Sequence, residues 1–258
     1  MKSIIISNPP GSYELALHLG NYIAKIANES IKSRNRFLLA VSGGSLPVAL
    51  AAALKAVYET GVELSTEKWY ILYADERLVE EGHGDSNHKA LESSVYILPF
   101  WKASKDNIFQ INYDLISDPI KCAAEYESRI RTFFNNDKES IDLVLLGMGP
   151  DGHTASLFPD HPLLNETKLL IAPITDSPKP PSCRITFTLP LLQLAMSIAF
   201  VAYGGGKAEI LQRVIKETEE YHTTNSSNTD TRLPSSRVTS ANGTVTWFVC
   251  NDAARLCQ

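Results

Sequence analysis

Residues 143–159 read LVLLGMGPDGHTASLFP, in which four aliphatic residues run directly into a glycine-rich turn. Residues 141–146 are apolar apart from Asp142. A continuous apolar run of this kind is typical of a central parallel strand that helices cover on both faces. The glycines of the turn allow backbone conformations that a Cβ atom would forbid. The pattern therefore predicts an α/β fold with a loop at the carboxyl end of this strand, where such folds place their ligands.

Asp151 and His153 lie two residues apart in this predicted loop. At this spacing the carboxylate can accept a hydrogen bond from one ring nitrogen, which leaves the other nitrogen free to take a proton from water. The pair is therefore a candidate general base with its orienting acid. The alternative is that Asp151 only caps a short helix and that His153 only packs against its neighbours. These two residues alone do not distinguish the interpretations.

The glycine spacing of residues 147–152, G-x-G-x-x-G, also matches a dinucleotide-binding fingerprint, with Asp176 as a candidate ribose-binding acid. Pro159 and Pro162 argue against this interpretation because they leave no room for a long helix directly after the glycines. Asp151 argues against it too, since its charge would lie where a pyrophosphate needs N–H groups.

The composition limits the classes of function. The chain has 258 residues, of which 44% are hydrophobic, and this suits one large α/β domain. Its formal net charge of -5 gives no electrostatic reason to expect nucleic acid or an anionic membrane as a partner. The four cysteines are scattered without a C-x-x-C pair, and we find no metal-binding motif. The apolar stretch at residues 4–6 is too short for a signal sequence or a membrane span, so we expect a cytoplasmic protein.

Buried strands alternate with amphipathic helices along the chain. Strands are predicted at 37–41, 68–74, 141–146, 169–174, 184–188, 198–203 and 245–249, and helices at 13–33, 46–57, 118–135, 208–217 and from 252. This order predicts a single domain, residues 1–258, with a mainly parallel, Rossmann-like sheet and helices on both faces. The polar segment 218–236 predicts a flexible surface loop with no catalytic part. We expect His83 and His88 at the surface.

Glycine turns connect a strand to a helix at Gly43-Gly44-Ser45 and again at Gly204–Lys207. Such a junction directs backbone N–H groups and the positive end of a helix dipole to one point, which favours a phosphate. Ser45 is a candidate N-cap of the first helix. The first turn lacks the Walker lysine, so an ordinary tight turn remains the alternative there. Lys207 is unfavourable at the amino terminus of a helix, which favours a bound anion over a structural role.

Three charged residues, Asp75-Glu76-Arg77, follow the strand at 68–74. Arg77 is a candidate phosphate ligand because a guanidinium can bind phosphate oxygens bidentately. Asp75 or Glu76 is expected to hold this arginine or to reach sugar hydroxyls. A solvated rim of the sheet is the alternative.

These motifs together resemble a known family. They are, in order, Leu39–Ser45 (LAVSGGS), Ala74–Arg77 (ADER), Leu146–Pro159 (LGMGPDGHTASLFP), Arg184–Phe187 (RITF), Gly206-Lys207 and Trp247–Val249 (WFV). The ordered set resembles the 6-phosphogluconolactonases, most closely the fungal members, over nearly the whole chain. The related glucosamine-6-phosphate deaminases share the Asp-Gly-His loop but continue with Ala-Phe-Asn-Glu-Pro, where this chain has Ala155–Pro159. The chain departs from the family in the longer segment 218–236 and in Cys250, which stands where an aspartate often follows Trp-Phe-Val. Both departures bear on oligomer contacts or loop behaviour more than on the reaction.

The resemblance implies a sugar-phosphate isomerase-like fold and the hydrolysis of 6-phospho-D-glucono-1,5-lactone in the oxidative pentose phosphate pathway, without a cofactor or a metal ion. It implies that His153 deprotonates the attacking water and later returns the proton to the ring oxygen, and that Asp151 orients His153. The residues it implies for holding the phosphate and the ring are Gly43, Gly44, Ser45, Arg77, Arg184 and Lys207. The expected partner is a small sugar-phosphate lactone, bound by a monomer or a weak homo-oligomer. Two alternatives are an isomerase-deaminase acting on an amino sugar phosphate and a sugar-phosphate-binding regulator without turnover.

Overall fold

Strands and helices alternate along the chain in the computed structural model, which describes residues 3–7, 9, 11–134, 140–223, 230–242 and 244–257. The strands are β1 Ser3–Ser7, β2 Phe37–Val41, β3 Trp69–Tyr73, β4 Asp75–Arg77, β5 Ile108–Phe109, β6 Leu143–Gly147, β7 Ile171–Ile174, β8 Arg184–Phe187, β9 Ser197–Ala202 and β10 Thr244–Val249. The helices are α1 Ser12–Arg34, α2 Leu46–Glu59, α3 Asn87–Glu92, α4 Pro119–Phe133, α5 Leu189–Leu194, α6 Ala208–Thr223, α7 Pro234–Arg237 and α8 Asn251–Ala254. Over the described residues, no helix has the length and apolar content that crossing a bilayer requires.

A seven-stranded parallel sheet forms the centre of the fold, in the order β1-β10-β9-β6-β2-β3-β5. All five side chains of β2 are buried. Because these side chains alternate between the two faces of the sheet, helices must cover both faces. Leu38 and Ala40 pack into the cluster that includes α4 and α6, whereas Leu39 and Val41 pack into the cluster that includes α1 and α2. The predicted mainly parallel sheet with helices on both faces is confirmed.

Asp142, the polar interruption in the apolar run, lies just before β6 and is buried. Its Oδ2 accepts a hydrogen bond of 2.8 Å from the backbone N–H of Leu38, and its Oδ1 is paired with the guanidinium of Arg34. A buried carboxylate is tolerated when both of its oxygens have partners. Asp142 therefore ties the start of β6 to the end of α1 and to β2.

A second, three-stranded antiparallel sheet has the order β4-β8-β7 and lies beyond the end of β3. The predicted strands at 169–174 and 184–188 form here and not in the main sheet. Residues 75–77, predicted only as a charged strand end, form the third strand of this sheet. In the register of β4 and β8, the backbone of Arg77 lies opposite that of Arg184. The small sheet therefore places the charged residues after β3 next to β8.

The prediction of a flexible surface loop at 218–236 is wrong at both ends. Helix α6 continues to Thr223, and residues 233–236 are buried. The carboxylate of Glu217 explains the packing, because its Oε2 accepts hydrogen bonds from the Leu233 backbone N–H (2.8 Å) and the Ser236 hydroxyl (2.6 Å). Residues 224–229 of the predicted loop lie outside the described residues.

The surface position predicted for His88 is also wrong, whereas His83 is exposed as expected. His88 Nδ1 lies 2.6 Å from the Tyr73 hydroxyl, and its backbone N–H donates to Glu76 Oε2 at 2.8 Å. The Glu76 carboxylate thus draws the amino terminus of α3 onto β4, and His88 is buried with it. The sequence pattern of the polar segment before α3 did not indicate this contact.

Candidate active site

The order of the strands opens a crevice between β2 and β6. These strands are neighbours, but the chain leaves β2 towards β3 on one side and leaves β6 towards β9 on the other. In an open parallel sheet, a crevice forms at the carboxyl ends of two strands whose connections diverge in this way, and ligands bind there. The loop at residues 42–45 follows β2 and the loop at 148–153 follows β6. Both predicted loops therefore border the same crevice.

Asp151 and His153 form a hydrogen-bonded pair in the loop after β6. His153 Nδ1 lies 2.5 Å from Asp151 Oδ1, and the two side chains are 18% and 38% exposed. The imidazole packs on the ring of Phe158, with the ring centroids 4.9 Å apart. The hydrogen bond assigns the ring proton to Nδ1 and leaves Nε2 as an acceptor. The structure thus brings the predicted pair together in the geometry of a general base and its orienting acid.

The loop is shaped by two of its glycines. A Cβ atom at Gly149 would overlap the His153 ring, so this close approach requires glycine. Gly152 has a φ of 81°, in the left-handed region that favours glycine. Its carbonyl accepts hydrogen bonds from the hydroxyl (2.8 Å) and the backbone N–H (3.1 Å) of Ser235. Residues 233–236, predicted to have no part in the site, therefore support the loop that carries His153.

The surroundings of the pair favour a neutral histidine. Burial lowers the pKa of His153 and outweighs the hydrogen bond and charge of Asp151, which raise it. Burial acts to raise the pKa of Asp151, but the hydrogen bonds and charges of His153 and Lys179 prevail and hold that pKa at about 2. At neutral pH the carboxylate is therefore ionised and the imidazole is a free base.

Asp75 does not have the predicted role. Its side chain is buried, and its two oxygens accept hydrogen bonds from the hydroxyls of Ser42 (2.8 Å) and Ser156 (2.9 Å). The expectation that Asp75 or Glu76 holds the guanidinium of Arg77 or reaches sugar hydroxyls is thus corrected for Asp75, because both of its oxygens are engaged by protein groups. Asp75 instead connects the loop after β2 with the loop after β6.

The carboxylate of Glu76 is also engaged by groups of the protein and not by the Arg77 side chain. It accepts the backbone N–H groups of Arg77 (2.8 Å), Asn87 (2.7 Å) and His88 (2.8 Å), not the Arg77 guanidinium. Arg77 Nη1 donates to the Asp85 carbonyl at 2.9 Å. The buried Arg77 Nε has no hydrogen-bond partner within the described ranges. The Arg77 side chain is only partly buried, so its guanidinium remains a candidate phosphate ligand.

The guanidinium of Arg184 is buried and occupied, which corrects its predicted role as a substrate ligand. Nε donates to the Pro181 carbonyl at 2.9 Å, and Nη2 donates to the carbonyls of Lys179 (2.7 Å) and Pro180 (3.2 Å). Nη1 donates to the Ser156 hydroxyl at 3.2 Å. Because these donors bind carbonyls and a hydroxyl of the protein, Arg184 holds the turn at 179–181 in place.

The glycine turn after β2 faces the crevice. Gly43 lies against Asn87, where a Cβ atom would overlap the amide, and Gly44 has a φ of 70°. Ser45 is exposed and takes the N-cap position of α2, but its hydroxyl makes no capping hydrogen bond. The turn and the 14-residue helix behind it therefore direct polar N–H groups to the carboxyl edge of the sheet.

Lys207 follows β9, the neighbour of β6, at the same edge of the sheet. It is partly buried, and this burial lowers its pKa. Among the residues that the structure describes, no carboxylate forms an ion pair with it. The described part of the chain also contains no group of three or more His, Cys, Asp or Glu side chains that could hold a metal ion.

The dinucleotide-binding alternative does not fit this geometry. No long helix follows the glycines of residues 147–152, because the chain instead turns through residues 154–161 into a single helical turn at Pro162–Asn165. The Asp176 side chain is 71% exposed and pairs with His161 at 3.1 Å. The features that a bound dinucleotide needs are thus absent from this part of the chain.

A protein-family model described as glucosamine-6-phosphate isomerases/6-phosphogluconolactonase matches residues 10–247. The chain belongs to this family. A human protein named 6-phosphogluconolactonase is 39% identical over 255 residues, covering 98% of this chain and 93% of the relative. A fission yeast protein, from Schizosaccharomyces pombe, named probable 6-phosphogluconolactonase is 41% identical over 249 residues, covering 93% of this chain and 91% of the relative. These matches confirm the family that the sequence motifs resemble.

Solved structures confirm the fold. The structure of 6-phosphogluconolactonase from Trypanosoma cruzi superimposes with a TM-score of 0.78 at 21% identity, covering 99% of this chain and 97% of that chain. The structure of 6-phosphogluconolactonase from Thermotoga maritima superimposes with a TM-score of 0.75 at 22% identity, covering 96% of this chain and 100% of that chain.

Lys179 also lies at this site, although no sequence pattern indicated it. Its Nζ lies 3.1 Å from Asp151 Oδ2 and 3.0 Å from His153 Nδ1. The sequence indicated only a rigid turn at 178–181, because a lysine between two prolines carries no signal of its own. Only the antiparallel pairing of β7 and β8 brings the turn that joins them to the loop after β6.

Proposed function

We propose that this enzyme hydrolyses 6-phospho-D-glucono-1,5-lactone to 6-phospho-D-gluconate, in the oxidative pentose phosphate pathway, with a water molecule that His153 activates. The observation that carries the proposal is the 2.5 Å contact between His153 Nδ1 and Asp151 Oδ1 at the crevice between β2 and β6. The human and fission yeast relatives, both named for this lactonase activity, support the same substrate.

The proposed reaction needs one base. His153 Nε2 takes a proton from the attacking water as its oxygen bonds to the lactone carbonyl carbon, and the carbonyl oxygen becomes an oxyanion. The tetrahedral intermediate collapses by breaking the bond to the ring oxygen, and the imidazolium returns the proton to this leaving oxygen. Asp151 keeps the Nδ1 proton in place throughout. Acid–base catalysis of this kind contributes roughly 10²- to 10⁴-fold, and positioning of the substrate supplies the remainder.

The phosphate of the substrate needs cations at the same edge of the sheet. Arg77, whose side chain is partly exposed, and Lys207, without a carboxylate partner in the described ranges, supply them in this proposal. The turn of Gly43, Gly44 and Ser45 adds backbone N–H groups at the start of α2. Phosphate binding at one end of the sugar would hold the lactone carbonyl next to His153.

Acid release tests the proposal directly. Purified protein is supplied with freshly generated lactone at pH 7, and proton release is followed against the spontaneous hydrolysis of the same lactone. We expect an enzyme-dependent rate that saturates with substrate and is inhibited by 6-phosphogluconate. A rate no faster than spontaneous hydrolysis contradicts the proposal.

The same protein sample distinguishes the lactonase from the two alternative functions, an isomerase-deaminase and a regulator without turnover. An isomerase-deaminase would release ammonia from glucosamine 6-phosphate, and a regulator would bind the sugar phosphate without consuming it. We expect neither ammonia release nor binding without turnover.

We further propose a cytoplasmic enzyme that is a monomer or a weak homo-oligomer. All four cysteines are free thiols, which supports a reducing compartment. Sedimentation of the purified protein measures the oligomeric state.

A further inference from the structure

The Lys179 ammonium lies against the pair formed by Asp151 and His153. It contacts Asp151 Oδ2 at 3.1 Å and Oδ1 at 3.3 Å, and it lies 3.0 Å from His153 Nδ1. The lysine side chain is 39% exposed, so it is only partly buried at this contact. One carboxylate is thus shared by an imidazole and an ammonium.

The backbone that carries Lys179 is fixed by buried groups. Arg184, 2% exposed, donates to the Lys179 carbonyl at 2.7 Å and also binds the next two carbonyls of the turn. The Ser177 hydroxyl donates to the same Lys179 carbonyl at 2.7 Å. Arg184 in turn contacts Ser156, whose hydroxyl donates to Asp75. A network of protein hydrogen bonds therefore sets the position of the lysine relative to the catalytic loop.

The geometry assigns the protons. At 2.5 Å, Nδ1 of His153 donates to Asp151 Oδ1. Because Nδ1 then has no free lone pair, the Lys179 ammonium donates to the second oxygen, Oδ2, and its approach to Nδ1 is a contact between two N–H groups. A positive charge on the ring would lie directly beside the positive charge of the lysine, and this arrangement is unfavourable at such a distance.

Charged groups from several elements face His153. Asp151 on its own loop and Asp75 on β4 favour the protonated ring, whereas Lys179 on the 178–181 turn and burial disfavour it. The Phe158 ring packs on His153. The guanidinium of Arg184 lies over this phenyl ring, with its Cζ 5.7 Å from the centroid of the Phe158 ring. Lys179 is the closest cation in this set, so its removal should change the balance most.

We infer that Lys179 is a positioning residue of the reaction: it holds the second oxygen of Asp151 and disfavours the doubly protonated form of His153, so that the imidazole stays a free base when water binds. This role acts through the pair and rests on the proposed function of His153 as the base. Lys179 itself does not take or give a proton.

The pH dependence of kcat/KM for the lactone tests the inference in three variants. Lys179→Met should move the acidic limb of the profile up by about one pH unit, because the protonated ring loses a repulsive neighbour. Activity on the plateau above that limb should stay within about tenfold of the wild type. Lys179→Arg keeps the positive charge and should therefore keep the acidic limb at its wild-type pH. Lys168→Met, which removes an exposed lysine elsewhere, should also leave the acidic limb unchanged.

A proton NMR titration of the His153 ring gives the same quantity without turnover. The signal is assigned by its loss in His153→Ala, and its midpoint should rise by about one pH unit in Lys179→Met. A wild-type protein that does not hydrolyse the lactone contradicts the proposed function, while the titration still decides the role of Lys179. An unmoved midpoint in Lys179→Met overturns the inference, whatever happens to the rate.

Discussion

Three different kinds of neighbour surround His153 and together favour its neutral form. The Phe158 ring removes water from one side of the imidazole, Asp151 fixes its tautomer, and Lys179 balances the carboxylate. Burial alone lowers the pKa of a histidine, and an unbalanced carboxylate raises it. A ring whose pKa is lowered stays neutral near pH 7, which is the form that accepts a proton from water.

Arg77 is expected to bind the phosphate of the substrate through two guanidinium nitrogens. Arg77→Lys keeps the charge but loses the planar pair of donors, so KM for the lactone should rise about tenfold with a smaller change in kcat. Steady-state kinetics at pH 7 measures both parameters. Arg255→Lys, at an exposed position after α8, is the matched control and should behave as the wild type. An unchanged KM in Arg77→Lys would remove Arg77 from the phosphate site.

At the scale of elements, the loop after β6 holds the His153 ring in place because one of its glycines has no room for a side chain. A Cβ atom at Gly149 would overlap the His153 ring, whereas one at Gly147 would meet no atom within 4 Å. Gly149→Ala must therefore shift the ring or the loop, and a shift of about 1 Å at a reacting group costs on the order of 10²-fold in rate.

The matched control for this loop is Gly147→Ala, whose kcat should stay within about threefold of the wild type because its Cβ atom would lie in open space. Turnover of the lactone and thermal unfolding are measured for both variants. Equal rates in the two variants would mean that the close approach at Gly149 does not matter for the reaction.

The elements near the site were predictable to the extent that their signals are local. The apolar run at β6, the glycine turn after it and the spacing of Asp151 and His153 all lie within a few residues of one another. Lys179 contacts the pair across 26 residues of sequence separation and Ser235 supports the loop across 83. These contacts depend on how β8 and α6 pack, which no local pattern records.

Sequence patterns failed where a charged group is satisfied inside the fold. Asp75, Glu76 and Arg184 were predicted at the site as substrate ligands or as partners of one, because charged residues after a strand often face a ligand. The structure buries all three and engages them with protein hydroxyls, amides and carbonyls. These three charged residues do lie near the site, as predicted. Their hydrogen-bond partners are protein groups and not a ligand, because the partners depend on tertiary packing.

For the whole molecule, Glu76 links folding to pH. It is buried, and burial raises its pKa from 4.5 to about 7 although the N–H groups of residues 77, 87 and 88 lower it and the charge of Asp75 raises it further. The native state thus binds a proton more tightly than the unfolded chain. The contribution of Glu76 to stability is fully present below about pH 4.5 and is lost as the pH rises through about 7.

Glu76→Gln should therefore flatten the pH dependence of the free energy of unfolding between pH 4.5 and 7.5, since one unit of pKa shift corresponds to about 1.4 kcal/mol. Urea unfolding at several pH values in this range gives the slope. Glu67→Gln, at an exposed position, is the control and should keep the wild-type slope. A wild-type slope in Glu76→Gln would show that this carboxyl titrates alike in the folded and unfolded states.

In the proposed mechanism, His153 activates the water that opens the lactone. The most direct measurement is the rate of acid release at pH 7 by His153→Ala, compared with the wild type, with binding of 6-phosphogluconate measured on both proteins. We expect a loss of roughly 10²- to 10⁴-fold in kcat while binding is kept. A variant that hydrolyses the lactone at a rate near that of the wild type would contradict the assignment of the base and the mechanism built on it.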